Sequence, residues 1–180
     1  MKVALQRKLL DWDVQITHRL RLAEKPGFLR NLAILFAHSG DSWFWLAGLG
    51  LVYWFGDLFW KERALKMICS ILTTAAIVMA IKFTVRRRRP AGEWGNIYRK
   101  TDPHSFPSGH AARAAMLAVL ALGLGPPWFG WLLVIWAPLV MLARVAMGVH
   151  FFSDVLAGAL LGLLIGIGIL FVIPFLPLLF

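Results

Sequence analysis

Two long runs of this chain, Ala114 to Leu142 and Val155 to Phe180, contain no Asp, Glu, Lys, Arg or His. A bilayer core is about 30 Å thick, and about 20 apolar residues cross it as a helix. Both runs are long enough. The chain is 59% hydrophobic and 16% charged, which leaves too little polar surface for a soluble domain of 180 residues. The fold class expected is therefore all-α: a polytopic bundle of transmembrane helices forming one domain over residues 1–180, with no room for a separate soluble unit.

The chain divides into an interfacial region, residues 1–38, and a bundle, residues 43–175. In the first part Leu10, Trp12, Val14 and Ile16 alternate with Lys8, Asp11 and Asp13, the pattern of an amphipathic helix lying in the membrane surface and broken near Pro26-Gly27. Five spans follow, or six if the N-terminal region hides another. They run from Trp43 to Phe59, Ala64 to Phe83, His110 to Gly125, Trp128 to Gly148, and Ser153 or Asp154 to Phe175, with a short connection at Lys61-Glu62-Arg63. Residues 84–107 form the one long polar loop, a length that is usually functional in a compact protein. Gly158, Gly162, Gly166 and Gly168 in the last span suit close helix contact.

A net charge of +10 raises the question of a nucleic-acid partner, but the basic residues flank the apolar runs, where they set topology and meet lipid phosphates. No nucleic-acid partner is expected. The single Cys69 excludes an intramolecular disulfide. The first 27 residues are charged throughout and contain no apolar signal core, so the first span is expected to direct insertion. Following the spans end to end brings the 84–107 loop, the 148–153 turn and the start of the first span to one membrane face. That face has seven Lys/Arg in residues 1–42 and six in 84–107, against Lys61, Arg63 and Lys66 opposite, which the positive-inside rule places in the cytoplasm.

Three segments on that face bear chemistry. The first runs from Lys82 to Arg89-Pro90, two cations at a membrane surface able to hold an anion, Arg as a planar fork and Lys as a point charge. Arg86, Arg87 and Arg88 between them read as topogenic. The second is Pro107-Ser108-Gly109-His110 at a helix start, where free N–H groups and the positive dipole end receive phosphate and His110 transfers protons near neutral pH. The third is Arg144-x5-His150-x3-Asp154. A carboxylate one turn from an imidazole fixes its tautomer and frees the other nitrogen, and ionisable groups at membrane depth are usually functional.

Together these segments, Lys82-x6-Arg89-Pro90, Pro107-Ser108-Gly109-His110 and Arg144-x5-His150-x3-Asp154, closely resemble the type 2 phosphatidic acid phosphatase superfamily in order and spacing. The resemblance implies that His150 attacks phosphorus, that Asp154 orients it, and that His110 protonates the leaving oxygen and then activates water. It also implies that Lys82, Arg89, Arg144, Ser108 and the Gly109 backbone hold the phosphoryl oxygens, with no metal and no cofactor. One departure is Ala143, where the family usually has Ser. The substrate implied is a membrane lipid phosphate or diphosphate, such as phosphatidic acid, phosphatidylglycerol phosphate or a polyprenyl phosphate, met in a bacterial-type cell membrane. Arg113, three residues after His110, is either a contact for a second phosphate or a snorkelling interfacial residue. The rival readings are a haloperoxidase, which the apolar composition opposes, and a small transporter using Arg144, His150 and Asp154 as a polar relay.

Overall fold

The computed structural model describes residues 2–92 and 94–175, with side chains described except at 2–7, 9, 97 and 175. Eight α-helices follow one another: α1 (Lys2–Leu20), α2 (Phe28–Ser39), α3 (Ser42–Phe55), α4 (Leu58–Val85), α5 (Asn96–Thr101), α6 (Gly109–Leu124), α7 (Pro127–Ala146) and α8 (Phe152–Val172). A 3-10 turn at Ile173–Phe175 closes the described part. The only extended pairing among the described residues is a single antiparallel bridge between Arg88 and His104.

Helix α6 is the axis. Ten of its residues, among them Ala111, Arg113, Met116, Leu117 and Leu120, are buried, because it is apolar on every face and rich in alanine. It packs against α8, α7 and α4. The α8 contact depends on glycine: Gly158, Gly162 and Gly166 are buried, and a Cβ on Gly162 or Gly158 would run into the backbone carbonyl of Ala112 or Ser108. Gly168 lies in open space instead, so it takes no part in the expected close contact. Gly162→Ala is expected to cost about 3 kcal/mol, read as a lowered melting temperature in detergent, whereas Gly168→Ala should leave it unchanged.

Among the described residues three helices, α4, α7 and α8, are long and apolar enough to cross a membrane, and the other two expected spans fall on α3 and α6. Helices α3 and α6 are apolar but have 14 and 16 residues, about 21 and 24 Å of helix. The expected connection at Lys61-Glu62-Arg63 is corrected, because these residues lie within α4. The turn falls earlier, at Gly56-Asp57, because the Asp57 carboxylate caps α4 by accepting the Trp60 N–H at 3.0 Å. Arg63 then lies inside α4 and donates to the last carbonyl of α6, that of Leu124. The long polar loop also contains a helix of its own, α5.

The N-terminal region breaks into two helices where Pro26-Gly27 predicted. Helix α2 buries Ala33 and Ala37 in a cluster with Ala143, Ala146 and Met147 of the α7 end. Helix α1 turns its polar stripe inward: Asp13 and Thr17 are buried while Leu10, Trp12 and Val14 are exposed. The stripe caps α8. Thr17 Oγ1 accepts the Phe152 N–H at 3.1 Å and Asp13 Oδ1 accepts the Ser153 N–H at 2.9 Å, two of the donors that a helix start leaves unpaired.

Candidate active site

Helix polarity brings the ends of α2, α4 and α7 and the starts of α3, α6 and α8 to one face. A cavity of about 380 Å³ opens there, lined by Lys82, Arg89, Gly109, His110, Arg144 and His150, and also by Asp41, Tyr98, Asp102 and Arg113. Six of the eight residues singled out in the sequence therefore share one space. The other two stand behind it. Ser108 is buried and caps α6, its Oγ accepting the Ala111 N–H at 3.4 Å, and Asp154 is fully buried at the start of α8.

The basic segment after α4 is sorted by its backbone. Arg86 ends α4 in the left-handed conformation, with φ 52° and ψ 34°, and Arg88 pairs with His104 in the bridge. Arg86 and Arg88 are exposed. Arg87 and Arg89 turn inward, with only 22% and 4% of their side chains exposed. Arg89 donates from Nε to the Asp102 carbonyl at 2.7 Å, from Nη2 to the Asp102 carboxylate at 2.9 Å and from Nη1 to the Val149 carbonyl at 2.8 Å. Lys82 is buried, paired with the same carboxylate and donating to the His104 carbonyl at 3.0 Å. Arg87 reaches across to Asp154 Oδ1, Ser153 Oγ and Asp13 Oδ2, each at 2.7 Å.

His150 sits in the turn between α7 and α8. Its Nε2 lies 3.0 Å from Arg89 Nη1. Its Nδ1 lies 3.7 Å from Asp154 Oδ2, a contact longer than a hydrogen bond, and that oxygen accepts the Phe151 N–H at 2.9 Å. Helix α8 begins at Phe152, so the pair spans a helix start. Burial, and then the charges of Arg89, Arg144 and Lys82, hold the His150 imidazole well below its ordinary pKa. It is thus neutral at ordinary pH, and its Nε2 faces the Arg89 guanidinium at the cavity.

Arg144 is fully buried. Its guanidinium lies 4.4 Å over the Tyr98 ring, and Nη1 donates weakly to the Ala37 carbonyl at 3.4 Å. Its Nε and Nη2 have no hydrogen-bond partner among the described residues. Ala143, beside it, packs in the apolar cluster between α2 and α7 and does not line the cavity. Arg113 is buried too, and not snorkelling: Nε and Nη2 donate to the Gly40 carbonyl at 3.0 and 2.5 Å, and Nη1 bonds Ser42 Oγ.

Two carboxylates in the cavity were not foreseen from the sequence. Asp41 lies just before the first expected span, and Asp102 lies within the 84–107 loop. The available signal was scarcity: with nine acidic residues against 19 basic ones, an acid beside a span end in this chain is a candidate partner for a buried cation. For Asp41, burial alone would raise the pKa. Hydrogen bonds with His110 and His38 and the nearby Arg144 charge overcome that and hold it well below the usual carboxylate range. Among the described residues no three His, Cys, Asp or Glu side chains come together as a metal-ligand set.

The sequence description of the PAP2 superfamily matches residues 63–176, which include every motif residue placed above. This chain belongs to the PAP2 superfamily. Among PAP2 relatives, it is 32% identical over 139 residues to the undecaprenyl-diphosphatase of Sulfolobus acidocaldarius, covering 74% of this chain and 66% of that one. It is 33% identical over 161 residues to the decaprenylphosphoryl-5-phosphoribose phosphatase of Mycobacterium tuberculosis, covering 85% of each. Its fold matches that of the transmembrane PAP2-type phosphatidylglycerolphosphate phosphatase from Bacillus subtilis with a TM-score of 0.75 and 26% identity, over 95% of this chain and 89% of that one. By family the chain is a lipid phosphatase with the multi-pass helical architecture of membrane PAP2 proteins, and the transporter reading is not favoured.

Proposed function

We propose that the chain hydrolyses a lipid phosphate or diphosphate through a phosphohistidine on His150. The observation that supports this most is the pairing of a neutral imidazole with four cationic side chains, Lys82, Arg89, Arg113 and Arg144, around one cavity. Phosphoryl transfer needs in-line positioning and charge stabilisation above all. In this reading His150 Nε2 attacks phosphorus, the bond to the leaving oxygen breaks, and His110 gives that oxygen a proton. Water then attacks the phosphohistidine, His110 takes its proton, and inorganic phosphate leaves. The unpartnered Nε and Nη2 of Arg144 donate to phosphoryl oxygens, as does the Gly109 backbone at the α6 start. Arrival of phosphate draws Lys82 and Arg89 from Asp102 toward the substrate.

The proposed substrate is an amphiphile. The cavity continues past the charged groups to Ala75, Val78 and Met79 of α4 and to Trp43 of α3, and Trp43 and Met79 are exposed on the outer surface. A lipid chain leaves sideways between α3 and α4 while its phosphate meets the cations. The proposed setting is the cell membrane, with α3, α4, α6, α7 and α8 as five spans, the short α6 enclosed by its neighbours, and α1 at the interface with its exposed apolar side in lipid.

Phosphate release in detergent, with chelator present, from phosphatidic acid, phosphatidylglycerol phosphate and undecaprenyl diphosphate tests this reading. Metal-independent release from at least one is expected, and the best of them identifies the headgroup class. No release from any of them would remove the proposal.

A further inference from the structure

The α2–α3 turn is built against the imidazole of His110. Asp41 Oδ1 lies 2.7 Å from His110 Nε2. Its carboxylate also accepts from the Tyr98 hydroxyl at 3.1 Å, and Oδ2 lies 3.1 Å from His38 Nδ1. The turn beneath it is pinned by Arg113 through the Gly40 carbonyl and Ser42 Oγ. Gly40 approaches so closely that a Cβ there would stand 2.7 Å from Val140 Cγ1 and 3.1 Å from His110 Cδ2. Two elements beyond α6, α2 through His38 and α5 through Tyr98, thus converge on one carboxylate, and that carboxylate holds one nitrogen of His110.

We infer that Asp41 is the positioning residue of His110, fixing the tautomer in which Nε2 carries the hydrogen and Nδ1 exchanges protons with the reacting oxygens. This rests on the phosphatase reading above. An imidazole whose Nε2–H is held by a carboxylate has Nδ1 as its only free nitrogen, an acceptor when neutral and a donor when charged. The proton balance follows. Nδ1–H gives its proton to the leaving oxygen as the phosphorus–oxygen bond breaks, and Nδ1 later takes one from the attacking water. The Nε2–H···Oδ1 bond persists throughout, and Asp41 stays a carboxylate. Asp41 also offsets the charge of Arg113 and Arg144 beside the imidazolium.

The test separates this role from a merely structural one. An alkoxide leaving group needs a proton, whereas p-nitrophenolate leaves without one. Because kcat/KM reports the step that breaks this bond, Asp41→Asn is expected to lower it about 10²-fold for dioleoyl phosphatidic acid. For p-nitrophenyl phosphate the loss should be less than about 5-fold, because that step needs little acid help. Asp41→Glu, which keeps the carboxylate, should recover part of the ratio between the two substrates. If Asp41→Asn does not accumulate in membranes, Asp41→Ser is read in the same way. An active wild type whose substrate ratio is unchanged in the variant, including equal loss on both substrates, overturns the inference alone. A wild type that releases phosphate from neither of these substrates, nor from phosphatidylglycerol phosphate or undecaprenyl diphosphate, overturns the phosphatase reading as well.

Discussion

His150→Ala is expected to lower phosphate release by about 10⁴-fold or more, the scale on which loss of a nucleophile acts. In single-turnover experiments with labelled substrate it should also abolish an acid-labile, base-stable phosphoenzyme. His150 is 1% exposed and touches Arg89 through Nε2, so no neighbouring imidazole takes its place, and His110 is held by Asp41. Retained turnover in the variant would assign the chemistry elsewhere. The pH dependence carries a sign. The His150 pKa is lowered well below 6.5 by burial and by Arg89, Arg144 and Lys82, and the neutral imidazole is the reactive form, present above the lowered value. Phosphoenzyme formation from p-nitrophenyl phosphate, which needs little acid help, should therefore stay level from about pH 8 to about pH 6, where an unperturbed histidine would be mostly protonated. A fall by half near the ordinary histidine value would contradict that environment.

Arg87→Ala is expected to destabilise the fold by on the order of 3 kcal/mol, while Arg86→Ala and Arg88→Ala change stability by no more than about 0.5 kcal/mol. The three are neighbours of one charge type, and they differ only in where the backbone sends them. Arg87 joins Asp13 of α1, Ser153 and Asp154 of α8, and its guanidinium lies 4.1 Å over the Phe151 ring. Its removal strands Asp13 and Asp154, which are 6% and 0% exposed, as buried charges without their cation. Since Asp154 also accepts the Phe151 N–H, the turn carrying His150 should loosen, and activity should fall with stability. Melting temperatures of the three variants in one detergent decide the matter. Equal shifts for Arg87→Ala and Arg88→Ala would show that the bridge carries no weight.

These two expectations differ in how far the sequence alone reaches. The motif residues Lys82, Arg89, Gly109, His110, Arg144 and His150 are recognisable by spacing, and apolar runs of spanning length dictate which ends of the helices meet. Together these already implied a shared site at one membrane face. Arg87 shows the opposite case. In sequence it is one of four consecutive arginines, of which only Arg89 belongs to a motif, and topogenic charge explains the other three equally well. What separates Arg87 from its neighbours is the left-handed end of α4 at Arg86 and the bridge of Arg88 to His104, neither of which shows in the sequence. Asp102 likewise becomes a partner of Lys82 and Arg89 only when the loop folds back over the α4 end.

The sequence by itself determined an all-helical membrane fold and the motif histidines and cations proposed here to carry the chemistry. The reasons are local: charge-free runs of sufficient length must be helices in a bilayer, and motif spacing follows from positions at helix ends. Only the tertiary structure decided what holds those residues in register. Asp41 lies 69 residues from His110, Asp13 lies 74 from Arg87, and Arg113 lies 73 from Gly40. Isolated carboxylates and glycines at such separations carry no pattern in the chain. They become specific because buried charges must find counter-charges, and which ones lie within reach is set by how α1, α2 and the polar loop pack around the axis of α6.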